Sequence, residues 1–193
     1  MTQAEAEQFI SACNDDFRDV VLTAIYTGFR SCEIKTLRWP SVDMTRRTIT
    51  VLASNGKNKD LKCVPMNDDL FAMFKRIQSE RNQAPDGLVF LSRYGKPWKS
   101  WRTAFENARQ RAGIADFRFH DLRHCFVSWL AMNGTTKKAM MELLGHRDGK
   151  MTDRYTHLSE DYRRQAVQNL PRFRDLAEKS PHPERTVLVQ VAK

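Results

Sequence analysis

The chain has 193 residues, enough for one domain with a real core and too few for a second full domain. Its 41% hydrophobic content excludes a disordered tail. With 32 Lys plus Arg against 23 Asp plus Glu, a formal charge of +9 suits a polyanionic partner, either nucleic acid or an anionic membrane surface.

No apolar run approaches the length of a membrane span, and the opening Met-Thr-Gln-Ala-Glu-Ala lacks the composition of a signal peptide, so a cytoplasmic location is expected. Cys13, Cys32, Cys63 and Cys125 stand far apart with no C-x-x-C pair. They argue against a zinc site and a disulfide framework, and read as reduced, small apolar residues.

In chain order, residues 3–12 predict a short amphipathic helix, and Phe17, Val20, Val21, Ala24 and Ile25 recur at helical spacing toward Gly28, a helix stop. Ser31 is placed to cap a short third helix carrying Glu33, Ile34 and Leu37, which Trp39-Pro40 ends. The β-branched run Thr-Ile-Thr-Val-Leu at 48–52, the turn Asn55-Gly56 and a second run at 61–65 predict a hairpin with Lys57 and Lys59 at its tip. A helix over 67–81 buries Leu70, Phe71, Phe74 and Ile77, and a short apolar run at 88–91 leads to the turn Gly95-Lys96-Pro97. Ser100 caps the next helix, which turns Trp101, Phe105 and Ala108 inward before Gly113 ends it.

The stretch from His120 to His157 carries the densest chemistry: H-D-L-R-H-C-F-V-S-W-L at 120–130, L-L-G-H at 143–146 and D-R-Y-T-H at 153–157. On a helix over 119–131, His120 and Arg123 lie on neighbouring parts of one face, so an imidazole and a guanidinium reach the same anion. Leu122, Phe126, Trp129 and Leu130 bury the other side. Thr135 or Thr136 opens a helix with Met140, Leu143 and Leu144 inside, and Gly145 closes it, presenting His146. Beyond Tyr155, Ser159 starts a helix that Pro171 breaks, 180–186 is polar and loop-like, and 187–191 has the composition of an edge strand.

H-x-x-R, L-L-G-H and R-Y-T-H in this order and spacing resemble the tyrosine recombinase (phage integrase) family. T-G-F-R at 27–30 matches the family's upstream box, which implies that Arg30 is a catalytic arginine. Glu33 resembles the acid that follows it, expected to orient Arg30 or a histidine rather than touch DNA. The family's hairpin lysine lies eight positions before the proline of V-P, which counts back from Pro65 to Lys57; Lys59 is the nearby competitor and otherwise a DNA contact. The resemblance covers roughly residues 5–175 and implies an α+β, mainly α catalytic domain with a small antiparallel sheet, here placed at 1–178. It leaves a tail at 179–193 that docks on a neighbouring subunit by analogy. The family's N-terminal core-binding domain, which closes on the other face of DNA, has no counterpart in these residues. Double-stranded DNA and a homo-oligomer on DNA, a tetramer, are the implied partners.

The chemistry that the resemblance implies is strand breakage by Tyr155, conserving the phosphodiester's energy in a 3′-phosphotyrosine so that strands rejoin without ATP. The phenol, with an unperturbed pKa near ~10, must lose its proton during attack. Charge developing on the phosphoryl oxygens needs preplaced donors, and the departing 5′-oxygen needs a general acid. By the resemblance, Arg30 and Arg123 clamp the phosphoryl group with His146 as a further donor. Lys57 is then the general acid, and His120 accepts or relays the tyrosine proton. No metal and no cofactor are expected, because two guanidiniums and a lysine supply the charge that Mg²⁺ supplies elsewhere.

Plainer readings stand beside these. A lone tyrosine near a helix start is usually structural, a lone Arg30 a surface charge, Arg123 a helix-face ion pair and a hairpin lysine solvated; the joint pattern is what favours the catalytic reading. His120 and His124, four apart, could ligate a metal on a helix, but no third ligand is placed nearby, and His124 reads as a packing or supporting residue. A non-catalytic DNA-binding regulator on this scaffold would show an eroded catalytic set, and this one is intact. A resolvase or topoisomerase-like member of the family would share every one of these residues.

Overall fold

The computed structural model describes residues 1–52, 61–80, 84–145 and 149–155. Helix α1 (Gln3–Ser11) starts in a reciprocal cap: Thr2 Oγ1 accepts the Glu5 N–H at 3.2 Å while the Thr2 N–H donates to the Glu5 carboxylate at 2.7 Å. Helix α2 (Asp15–Thr27) is the centre of the domain. It buries Phe17, Val20, Val21, Ala24 and Ile25, and ends where Gly28 turns left-handed at φ 61°. Helix α3 (Ser31–Lys35) and a 3₁₀ turn (Trp39–Ser41) lead into the sheet.

The sheet is antiparallel, in the order β1 (Val42–Asp43), β2 (Thr48–Leu52), β3 (Leu61–Pro65). Ile49 pairs with Val64 and Val51 with Lys62, so one face carries Ile49, Val51, Lys62 and Val64 inward. Leu52 and Leu61, although apolar, face out. The two-residue β1 is too short to leave a period in the sequence and was not expected.

Helix α4 (Asp68–Glu80) buries Leu70, Met73, Phe74 and Ile77. Phe71, expected inside, is only half-buried and lies under the Arg47 guanidinium, 4.1 Å from its ring centroid. Helix α5 (Arg102–Arg111) begins after Trp101, with Ser100 Oγ accepting the Arg102 N–H at 3.2 Å. Helix α6 (Asp121–Met132) packs against α2, and α7 (Lys137–Leu144), capped by Thr136, follows it. The short α8 (Lys150–Asp153) then delivers Tyr155.

Aromatic side chains fill the main core, with Phe9, Phe105 and Phe117 in mutual contact at centroid separations of 5.2, 5.5 and 5.7 Å. A second cluster joins Phe126, Val127 and Ala131 of α6 to Met140 and Leu144 of α7 and to Tyr155. It is this second cluster that holds the Tyr155 segment against α6 and α7. No helix among the described residues is long and apolar enough to cross a membrane.

Candidate active site

The site starts at the corner between α2 and α3. The left-handed Gly28 reverses the chain, Phe29 is buried, and Arg30 sits extended at the N-cap of α3. Capping differs from expectation: Ser31 is already the first helical residue, and Glu33 from the first turn closes the helix start by accepting the Arg30 N–H at 2.8 Å. The other Glu33 oxygen takes the Arg30 guanidinium at 3.1 Å. One buried carboxylate therefore fixes both the backbone and the fork of Arg30.

The second arginine comes from α6. His120 occupies the N-cap position rather than the helix body, and Arg123 lies one turn inside it. Arg123 is buried; its guanidinium donates to the Gly28 carbonyl and, at 2.9 Å, to the Leu144 carbonyl. Those carbonyls sit at the C-terminal ends of α2 and α7, both closed by left-handed glycines, Gly28 and Gly145. A cation between two helix C-termini is favoured by both dipoles. Burial, with Arg30 adding to it, pulls the Arg123 pKa down to about 10, so it stays charged at neutral pH.

Tyr155 is nearly covered by the second cluster, its backbone N–H bonded to the Thr152 carbonyl at 3.0 Å. Its hydroxyl is hydrogen-bonded to His124 Nδ1, and the His124 ring meets the His120 ring edge-to-face at 5.1 Å. A line of side chains thus runs from phenol to imidazole to imidazole. Burial raises the Tyr155 pKa, against the pull of Arg154 and Arg123. Burial lowers both histidines, and the nearby arginines add to this, so both are neutral at neutral pH and able to accept a proton.

Arg30, Glu33, His120, Arg123 and Tyr155 are therefore brought together. The charge on Arg30 is felt at His120 and Arg123, and that on Arg123 at His120 and Tyr155. Lys57, Lys59 and His146 lie outside the described residues. Among the described residues, no group of three or more His, Cys, Asp or Glu side chains is placed to hold a metal ion.

Two neighbours of the site were missed in the sequence. One is His124, read as a packing or supporting residue, which holds the phenol; its spacing from His120 was visible, but its partner depends on how the chain returns after α7. The other is Lys62, whose ammonium is buried 3.7 Å from Glu33 Oε2 and 4.3 Å over the Phe29 ring. The two-residue period of β3 carries the signal, because an inward Val64 implies an inward residue 62.

Residues 1–161 match the model of the phage integrase family. The chain belongs to the phage integrase family. Among curated members, the integrase of Salmonella phage P22 is 32% identical over 172 residues, covering 82% of this chain and 43% of that protein. Tyrosine recombinase XerC of Xylella fastidiosa (strain 9a5c) is 30% identical over 166 residues, covering 82% of this chain and 55% of that one. The phage integrase match thus spans about half the length of these curated relatives.

Among solved structures, the catalytic domain of bacteriophage HP1 integrase is 28% identical with a TM-score of 0.68, covering 94% of this chain and 98% of that chain. XerA recombinase, 24% identical with a TM-score of 0.72 over 89% of this chain and 64% of its own, shares the fold. The α+β, mainly helical fold with a small antiparallel sheet is that of tyrosine recombinase catalytic domains.

Proposed function

We propose that this chain is the catalytic domain, over residues 1–178, of a site-specific DNA recombinase, an integrase that breaks and rejoins strands through Tyr155. The observation that carries the reading is the convergence of Arg30, His120, Arg123 and Tyr155, from three separate segments, on one half-buried site. The +9 charge and the solved relatives bound to DNA, such as the Tn1549 transposon integrase in complex with circular intermediate DNA, support a DNA substrate.

Tyr155 Oη attacks the phosphorus, its proton passing to His124 and onward toward His120. Arg30 and Arg123, with His146, hold the non-bridging oxygens as charge builds on them. The bond to the 5′-oxygen breaks, Lys57 supplies its proton, and a 3′-phosphotyrosine remains. Attack by a 5′-hydroxyl reverses each step. Neither a metal nor ATP takes part. The chain acts as a tetramer on DNA, with residues 179–193 of each copy docked on a neighbour; a chain ending at 178 that assembles normally on DNA would overturn this last part.

The test is covalent trapping on nicked duplexes of varied sequence in EDTA. A DNA-shifted band on a denaturing gel, abolished in Tyr155→Phe, supports the reading. A band that survives the substitution, or strand breakage that depends on added Mg²⁺, contradicts it. On a plasmid with two recovered sites, joining to a second molecule marks an integrase, and deletion between tandem sites marks a resolvase.

A further inference from the structure

Strand β3 presents Leu61, Cys63 and Pro65 outward and Lys62 and Val64 inward. The inward position of a half-buried strand calls for an apolar side chain, and an ammonium placed there loses its hydration. Lys62 is 1% exposed, and among the described residues its Nζ has no hydrogen-bond partner, the Glu33 carboxylate standing 3.7 Å away. Among the described residues, four parts of the site lie beside it: Phe29 and the Glu33 carboxylate before and within α3, and the Arg30 and Arg123 guanidiniums.

Neutralising Glu33 does not explain it, since Arg30 already bonds that carboxylate twice. Among the described residues, three cations stand around this one carboxylate, an excess of positive charge such as an anion site requires. Lys62 pulls on the Oε2 that also receives the Arg30 N–H, while Oε1 holds the Arg30 fork. The carboxylate is thereby held from two sides, and the rotation that would release the guanidinium is restrained.

We propose that Lys62 is a positioning residue that acts through Glu33 to aim the Arg30 guanidinium at the scissile phosphate. This rests on the reading of Arg30 as a phosphate clamp. The device is also pH-sensitive. Burial lowers the Lys62 pKa to about 7, with Glu33 opposing and Arg123 and Arg30 adding to the fall. Above that pH the free protein loses the ammonium and with it one restraint on Glu33; a phosphate arriving beside the cluster favours its return.

The test uses the full chain with Lys62→Met, Lys62→Arg, Arg30→Ala and the Arg30→Ala/Lys62→Met double variant. Misplacing a clamping group costs roughly 10–100-fold in rate, and that loss is expected for covalent adduct formation by Lys62→Met, with duplex affinity within a few-fold of wild type. Lys62→Arg restores most of the rate and removes the fall in rate above neutral pH seen at subsaturating DNA. The double variant is no slower than Arg30→Ala alone. A wild-type rate in Lys62→Met, or losses that multiply in the double variant, overturns the proposal.

Solvent exchange of the Arg30 Nη1–H that Glu33 Oε1 holds, read by NMR, gives an answer independent of cleavage. It is expected to speed up in Lys62→Met and stay slow in Lys62→Arg; equal exchange in all three proteins overturns the positioning role. If the wild type forms no adduct while exchange follows this pattern, the functional reading falls and the positioning link stands. Should Lys62→Met not fold, Lys62→Gln, which keeps a neutral donor beside Glu33, carries the same comparisons.

Discussion

Gly28→Ala strikes the site from behind, and its cost can be worked from the geometry. Gly28 sits at φ 61°, a region where a Cβ adds about 1–2 kcal/mol. That Cβ would also fall on the Phe126 ring, 3.0 Å from Cε1 and nearer still to Cδ1. The ring belongs to the cluster that packs Tyr155, and forcing it aside is overpacking, worth about 1–3 kcal/mol. Together these give about 3 kcal/mol, a fall in Tm of roughly 6–12 °C for a chain this size.

Gly113→Ala is the control, because Gly113 has φ 64° and, among the described residues, nothing beyond its chain neighbours within 4 Å of where a Cβ would stand. It is expected to cost only the backbone part, a drop of about 2–8 °C. Differential scanning calorimetry of both variants separates strain from collision, and adding Phe126→Leu to Gly28→Ala should recover part of the difference. Because the Gly28 carbonyl takes Arg123 and Arg30 lies two residues on, adduct formation should fall further than the unfolded fraction explains. Equal costs at the two glycines would falsify the collision, and a Tm within about 2 °C of wild type for Gly28→Ala would sink the strain argument as well.

Other outcomes follow from the same geometry. Arg123→Met leaves the Gly28 and Leu144 carbonyls without a charged donor, so urea denaturation should show a loss of about 3–5 kcal/mol and no adduct should form; an unchanged midpoint contradicts this. Both site histidines are lowered, so the neutral base persists below the usual imidazole range, and the acid limb of the cleavage rate should lie below pH 6.5. A limb above 6.5, or one unmoved in His124→Gln, goes against a histidine relay. For Lys62, the folded value near 7 lies below the ordinary 10.5, so between those pH values the unfolded chain holds a proton that the folded chain lacks. This group's contribution therefore makes stability rise with pH across that window, and its full cost, on the order of a few kcal/mol, is present at pH 7 and below. The stability advantage of Lys62→Met should accordingly be largest near pH 6 and shrink toward pH 10; a gap that is flat with pH refutes it.

Much of the scaffold was legible because its signals are local. The period of Phe17 to Ile25, the left-handed glycines at helix ends and the β-branched run at 48–52 each act over a few residues, and the structure places α2, Gly28 and β2 accordingly. At the site, residue identity came from motif order, whereas the contacts came from long-range packing. His124 meets a phenol 31 positions away, and Lys62 turns inward because β3 pairs with β2 in a register set by Ile49 and Val64. Ser31 was a reasonable cap by composition, but the Glu33 carboxylate, anchored by two cations, outcompetes a hydroxyl for the helix start. Phe71 stands at the edge of the buried stripe that Leu70, Met73, Phe74 and Ile77 form on α4, and lies under Arg47.

The most direct measurement is the identity of the residue that carries DNA after trapping. Peptide mapping by mass spectrometry of the adduct formed in EDTA should find a 3′-phosphonucleotide on Tyr155 and on no other residue, with none formed in Arg30→Ala. An adduct on Tyr26, Tyr94 or Tyr162, or cleaved DNA ending in a free 3′-hydroxyl without any protein attached, would contradict the assignment of Tyr155 as the nucleophile.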